Sequence, residues 1–513
     1  MGDRAMRMVA LDLGAESGRA VVGTFDGERL AIEDAHRFPN VPVSLAGTLH
    51  WDFLRLFGDV QAGLRKVASA GPVESVAVDT WGVDFGLLDA RGRLLANPVH
   101  YRDARTEGIL EDAFAVVPRA DIYAATGIQL MSINTLFQLY AMARAGDPLL
   151  AQADRLLMTA DLFHHFLAGT SVAEYTLAST TGCVDPVTRD WARPLVERFG
   201  IPSRILPPIV APGTVLGPLL PEVAGATGLG ATRVVAPGSH DTASAVVGTP
   251  LAGPSTAFLS SGTWSLLGLE MPGPVVSEAS LAADLTNEGG VGGTVRLLRN
   301  VVGLWLVQES RRALWPAGDP PSYEQIAGLA ESAPAFTAFI DPDDPRFLRP
   351  GDIPARVREF CAETGQAVPM DPGTLVRVIL ESLALRYAAA IADLERAAGR
   401  PVTSVQVVGG GSNNRLLCHL TAGATGLPVR AGPVEATAIG NVAVQAIAAG
   451  ELADVAEARA LVARSFPLRE HEPAGDWSEA RARFAAVLAR EADARGAGAG
   501  AAAGAGAPAE EDR

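Results

Sequence analysis

Three short runs hold the residues best equipped for chemistry. Asp12-Leu-Gly-Ala-Glu-Ser-Gly-Arg19 gathers a carboxylate, a hydroxyl, a cation and two glycines into one tight turn. Such a set presents backbone N–H groups to an anion while the acid meets a hydrated divalent ion, which makes a phosphate cradle. Ser260-Ser-Gly-Thr263 repeats the small polar tip without a charge, so two tips could clamp a polyphosphate between them. In Ser239-His-Asp-Thr-Ala-Ser-Ala245, Asp241 falls where a β-branched strand and a Pro-Gly turn give way to a small, apolar helical stretch. There it can cap the helix by accepting a backbone N–H, or meet a substrate hydroxyl. The run alone leaves both open.

Two further runs are less specific. Gly409-Gly-Gly411 follows a strand and suits either a flexible turn or a flat ring lying against bare backbone. Asp79-Thr-Trp-Gly-Val-Asp84 places two acids around an aromatic, a mixture carbohydrate sites use; Trp81 reads equally as a core aromatic, whereas a buried strand has little use for Asp84. Neither the Walker A spacing nor the dinucleotide Gly-x-Gly-x-x-Gly pattern is met at the first tip. His100, His164 and His165 lack metal-ligand or triad spacing and read as structural.

The elements that must position these runs are those of an α/β protein. Met8–Leu13 and Ala20–Phe25 flank the first tip as a hairpin, Trp51–Ala68 has apolar residues at helical spacing (Phe53, Leu54, Phe57, Val60, Leu64, Val67), and Val73–Val78 forms a buried strand. A second hairpin, Thr256–Gly268, opens the second half, so the chain reads as two related halves. The clearest helix spans Pro372–Ala398, with Asp371 as N-cap and Gly399 as its stop. Residues 471–493 read as a helical extension, and the Ala/Gly-rich 494–513 as a disordered tail.

Composition narrows the partners. At 513 residues the chain exceeds one ordinary core, and with 48% hydrophobic residues it can bury large ones. A net charge of −16 opposes an extended grip on nucleic acid or anionic lipid, so any phosphate must be held locally. There is no apolar run of the roughly 18 residues that span a bilayer and no signal-peptide pattern. Cys183, Cys361 and Cys418 are far apart, as in core fillers of a reducing compartment. The expectation is a cytoplasmic protein acting on small molecules, with no nucleic acid or membrane partner; oligomeric state has no signature here.

In this order, these runs, with Tyr101-Arg-Asp103, Thr263-Trp-Ser265, Thr286-Asn-Glu-Gly-Gly290 and Gly432-Pro-Val-Glu-Ala436, resemble the FGGY carbohydrate kinases, members of the superfamily that includes the heat-shock ATPases and actin. The resemblance covers about residues 8–466. It implies an α/β fold of two RNase H-like (actin-like ATPase) domains with a cleft between them: 1–250 carrying the ketose site and base, 251–470 the nucleotide site. It also implies ATP and magnesium as cofactors. Asp79–Phe85 and Ser239–Ala245 narrow the implied activity to phosphorylation of L-rhamnulose at its 1-hydroxyl.

Residue by residue, the resemblance implies that Ala15, Glu16, Ser17, Gly18, Arg19, Thr263, Gln308 and Gly410 contact ATP. It implies that Gly82, His240, Asp241, Thr242 and Asn300 line the ketose site, that Asp241 is the catalytic base, and that Asp12 is the magnesium-associated acid. A helix N-terminus at Asp241 would favour its ionised form. Glu16 departs from the small neutral residue expected there, so its carboxylate must turn away from the phosphates or pair with Arg19. A kinase for another ketose, such as L-fuculose or D-xylulose, fits the same runs. So does a nucleotide-dependent sugar sensor, although the presence of both Asp12 and Asp241 argues against it.

Overall fold

Two mixed sheets organise the chain in the computed structural model, which describes residues 5–316 and 320–490. The first is built from β1 (Met6–Leu13), β2 (Ser17–Phe25) and β3 (Leu30–Pro39), a helix α1 (Phe53–Ser69), then β4 (Ser75–Thr80), β5 (Thr214–Pro218) and β6 (Arg233–Ala236), which leads into α2 (Asp241–Val247). Its order is β5-β6-β4-β1-β2-β3, with an antiparallel β1-β2-β3 meander joined to parallel β4 and β6.

The second sheet repeats that plan. It contains β7 (Thr256–Ser261), β8 (Trp264–Met271), β9 (Thr286–Gly289) and β10 (Val295–Val302), followed by α3 (Trp305–Leu314) and the long α4 (Pro372–Ala398). Then come β11 (Ser404–Val408), α5 (Arg415–Thr425), β12 (Val429–Ala431), α6 (Ala436–Ala448), α7 (Val455–Ser465) and β13 (Arg469–His471). In the order β9-β10-β8-β7-β11-β12-β13, β7, β8 and β10 form the antiparallel meander, and β11 and β12 run parallel to β7. The duplication read from the two hairpins therefore extends to strand order and direction.

The helices form where their caps and faces require. Asp52 accepts the Arg55 N–H at the start of α1, and Phe53, Leu56, Val60, Leu64 and Val67 fill the face it turns to the sheet. Each fully buried side chain of this kind contributes about 1.5–3 kcal/mol. Leu54, expected on that face, points to solvent and Leu56 takes its place. The α4 boundaries follow their signals: Asp371 accepts the Thr374 N–H, and Gly399 closes the helix in the left-handed region. The three cysteines are buried and unpaired. Residues 478–490 form a helix whose Ala480, Phe484 and Val487 complete the second core. The Ala/Gly tail lies outside the described residues, among which no helix is long and apolar enough to cross a membrane.

One helix ties the halves together. α6 follows the second sheet in sequence but packs on the first, with Ile439, Val442 and Val444 in one core with Met8, Ala10 and Val21. Its polar side chains are satisfied there too: Gln445 donates to the Val9 carbonyl (3.0 Å) and accepts from the Ser75 hydroxyl (2.6 Å), while Asn441 donates to Asp79 (2.5 Å). α2 and α6 touch backbone to backbone, since a Cβ on Gly440 would lie 1.8 Å from the Ser244 carbonyl oxygen.

Candidate active site

The parallel strands of the first sheet end side by side, and ligands of such sheets bind outside those ends. Asp12 and Asp79 are direct partners across β1 and β4, and Thr80 bridges to His240 beyond β6. Three carboxylates, Asp12, Asp79 and Asp241, thus arrive at one edge. A cleft of about 460 Å³ opens over it, walled on the far side by Ser260–Trp264, Asn300, Gln308, Gly409 and Gly410 from the second half.

Asp241 occupies the cleft floor with about a third of its side chain exposed. It is the first residue of α2, and its Oδ1 accepts from the Thr242 N–H (2.5 Å) and hydroxyl (3.1 Å), with His240 Nε2 at 3.4 Å. Among the described residues these contacts all fall on Oδ1, which leaves Oδ2 for the cleft. Two expectations change here. His240, not Asp241, is the residue before the helix, and neither side chain makes a capping bond to the next turn. Nor does the helix start hold Asp241 at low pKa: burial raises it above the usual carboxylate range, His240 opposes the rise and nearby Asp12 adds to it. Burial and Asp12 also push Asp79 well above that range, against the Asn441 hydrogen bond.

At the first tip, Asp12 Oδ2 accepts from Arg19 Nε (3.0 Å) and Nη2 (2.7 Å), and Arg19 also pairs with Glu435. Ala15, Glu16, Ser17 and Arg19 line the cleft. Gly18 does not: its missing Cβ makes room for the Phe38 ring, which would stand 2.3 Å from it. Glu16 pairs with Arg312 of α3 (3.0 Å) and not with Arg19, so the unexpected carboxylate bridges the halves at the cleft mouth. Across the cleft, Gly409 and Gly411 are required by contact with Ser261, whose Oγ would lie 2.0 Å from a Cβ on Gly411. Gly410 alone faces open space and offers a bare backbone to the cleft. Among the described residues the buried Gln308 Oε1 has no hydrogen-bond partner, leaving an acceptor for a bound molecule.

The remaining predicted residues converge on the same cleft. Gly82, Thr242 and Thr263 line it, as does Asn300, whose side chain and backbone N–H donate to Gln129 Oε1. Next to Gly82, Val83 adopts φ +68, a costly conformation for a β-branched residue. Thr180 and Thr135 hold it there by hydrogen bonds to its N–H and carbonyl. Asp84 overturns its reading as a sugar ligand. It is fully buried and absent from the cleft wall, and it accepts from the Trp51 and Trp81 indoles (2.6 and 3.0 Å), the Tyr101 N–H (3.3 Å) and Gln138 (3.2 Å). Burial raises it to about 6 against those donors. Its work is to orient Trp81 and Tyr101, which do line the cleft. His164 and His165 lie away from the cleft, as does His100, which stacks on Trp51.

Among the wall residues to which no role was assigned are Gln129, Glu288 and Glu435, the last two met only within longer runs, and Glu288 reaches His240. The strand of Glu288, Thr286–Gly289, is polar or glycine at its other positions, so no break in an apolar pattern marked it out.

The N-terminal domain of the FGGY family of carbohydrate kinases matches residues 7–248 and the C-terminal domain matches 257–449. The chain belongs to that family and is a carbohydrate kinase. Among its relatives, the rhamnulokinase of Bacteroides thetaiotaomicron is 44% identical over 465 residues, covering 90% of this chain and 95% of that protein. The rhamnulokinase of Enterococcus faecalis is 40% identical over 486 residues, covering 94% and 97%. Gluconate kinase from Lactobacillus acidophilus superposes with a TM-score of 0.78 at 17% identity, covering 96% of this chain and 98% of that one. Plasmodium falciparum glycerol kinase with ADP gives 0.74 at 14%, covering 95% and 98%. These two share the fold.

Proposed function

We propose that this chain transfers the γ-phosphoryl group of ATP to the 1-hydroxyl of L-rhamnulose, giving L-rhamnulose 1-phosphate and ADP. The observation that carries the reading is Asp241: one carboxylate oxygen is tied down by Thr242 and the other is left for the cleft, between two small-residue tips. The rhamnulokinase relatives, 37–44% identical, supply the sugar.

Phosphoryl transfer demands alignment and charge neutralisation more than covalent help. Ala15, Ser17 and Arg19 on one tip and Thr263 on the other hold the phosphates, and Gly410 and Gln308 hold the nucleoside. Gly82, His240, Thr242 and Asn300 hold the ketose, whose C–H groups meet an apolar wall including Val83, Ile128 and Leu266. Asp241 Oδ2 orients the 1-hydroxyl and accepts its proton as the oxygen gains phosphorus. Its raised pKa makes it a better proton acceptor, and a loose transition state lets the proton leave late.

Magnesium, when bound with the nucleotide, neutralises charge building on the phosphates. Asp12, whose Oδ2 takes both Arg19 bonds, fits a largely hydrated ion that takes one carboxylate and phosphate oxygens. The test is kcat/KM across L-rhamnulose, L-fuculose, D-xylulose and L-ribulose with the product phosphate located by NMR. A preference for L-rhamnulose with phosphate on O1 is expected; a clear preference for another ketose overturns the substrate.

A further inference from the structure

Beyond the cleft floor lies a buried ion pair that no phosphate or base role uses. Glu288 on β9 and Arg296 on β10 are direct cross-strand partners in the second half, with Nη2 and Oε2 3.2 Å apart. Arg296 is fully enclosed, and its Nε donates to the Gly289 carbonyl at 2.9 Å. Desolvating two charges is costly enough that such a pair is weak evidence for stability. Both partners instead converge on one atom of the first half. His240 Nδ1 lies 3.1 Å from Arg296 Nη2 and 3.3 Å from Glu288 Oε2.

The His240 backbone is held from its own side, by its N–H to the Thr176 hydroxyl, and that hydroxyl in turn bonds Glu174. Among the described residues, its ring meets the second-half pair at Nδ1 and Asp241 Oδ1 at Nε2. Nδ1 accepts from Arg296, while Glu288 Oε2 stands at ion-pair distance from both without a bond of hydrogen-bond geometry, so the ring plane is set by the second-half pair.

We propose that Glu288, with Arg296, is a positioning residue: it fixes the His240 ring, and through it Asp241, only when the halves are apposed, so that base geometry is completed by domain closure. This rests on Asp241 being the base. Water admitted to an open cleft would then meet a poorly aligned carboxylate.

Two variants test this without leaving a charge stranded. Glu288→Asp keeps a carboxylate for Arg296 but withdraws it from His240 by one methylene; Glu288→Gln/Arg296→Met neutralises the pair together. In both, kcat is expected to fall about 10- to 100-fold, the order that misplacing a reacting group by about 1 Å costs, with the ATP KM within about twofold of wild type. Wild-type kcat in Glu288→Asp, or in a folded double variant, overturns the proposal. So does a raised ketose KM at unchanged kcat, which makes Glu288 a plain sugar contact. Should the double variant unfold, Glu288→Asp decides alone. Asp241→Asn separates the claims: wild-type turnover there removes the base on which the proposal rests, whereas lost turnover there with normal Glu288→Asp removes only the positioning role.

Discussion

Between β1 and β2 the chain turns with Asp12 and Arg19 facing each other across the ladder, whereas between β7 and β8 the corresponding partners are Ser260 and Leu266. Both turns close by a glycine N–H to a backbone carbonyl, Gly14 to Ser17 and Gly262 to Trp264. The same local fold is thus charged in one half and neutral in the other. The charged wall also holds Asp241, while the neutral wall spends its sequence on close approach, at Gly409 and Gly411. A polyanion needs both: a fixed charge arrangement where bonds change, and a surface that lets it lie near backbone donors.

The comparison breaks hardest at the base. Asp241→Asn is expected to lower kcat by about 10²- to 10⁴-fold, the usual worth of a general base, with ATP and ketose still bound by calorimetry; near wild-type turnover rejects the assignment. Next, Asp12→Asn should raise the magnesium concentration for half-maximal rate about 10- to 100-fold, as loss of a metal-supporting group commonly does. It should also move the acid limb of kcat/KM. Asp241 must be ionised to act, its raised pKa places that limb above the usual carboxylate value, and removing the Asp12 charge that adds to the rise shifts the limb to lower pH. An unmoved limb means that Asp12 does not sense Asp241.

On the neutral wall, Gly411→Ala forces its Cβ onto Ser261 and should raise the ATP KM about tenfold, or 1.4 kcal/mol, with the ketose KM unchanged. Smallest of all, Arg312→Ala removes the exposed partner of Glu16 and should alter stability by less than about 1 kcal/mol in thermal unfolding. A larger loss would make that bridge a structural element.

Local signals read well in the sequence, and contacts between distant segments did not. The hairpins, the capped Pro372–Ala398 helix and the gathering of tip residues follow from turn chemistry and periodicity. The partner of Glu16, the bond from Glu435 to Arg19 and the approach of Glu288 to His240 depend on how one half lies against the other, which no local pattern encodes. Asp84 shows the subtler failure. An acid just before an apolar strand correctly signals a special role, but only the fold reveals that two indoles, an amide and a backbone N–H converge on it from beneath the cleft. For Asp241, a displacement of one residue relative to the helix start and the dominance of burial over the helix field reversed the expected direction of its pKa.

The docking of α6 has a consequence for how the molecule can be cut. Severing the chain in the linker near Gly253 would leave the first sheet without the helix that covers Met8, Ala10 and Val21 and bonds Ser75 and Asp79. The two homologous halves are therefore not two modules that could be expressed or exchanged independently: an element encoded late in the chain completes a core begun at its start.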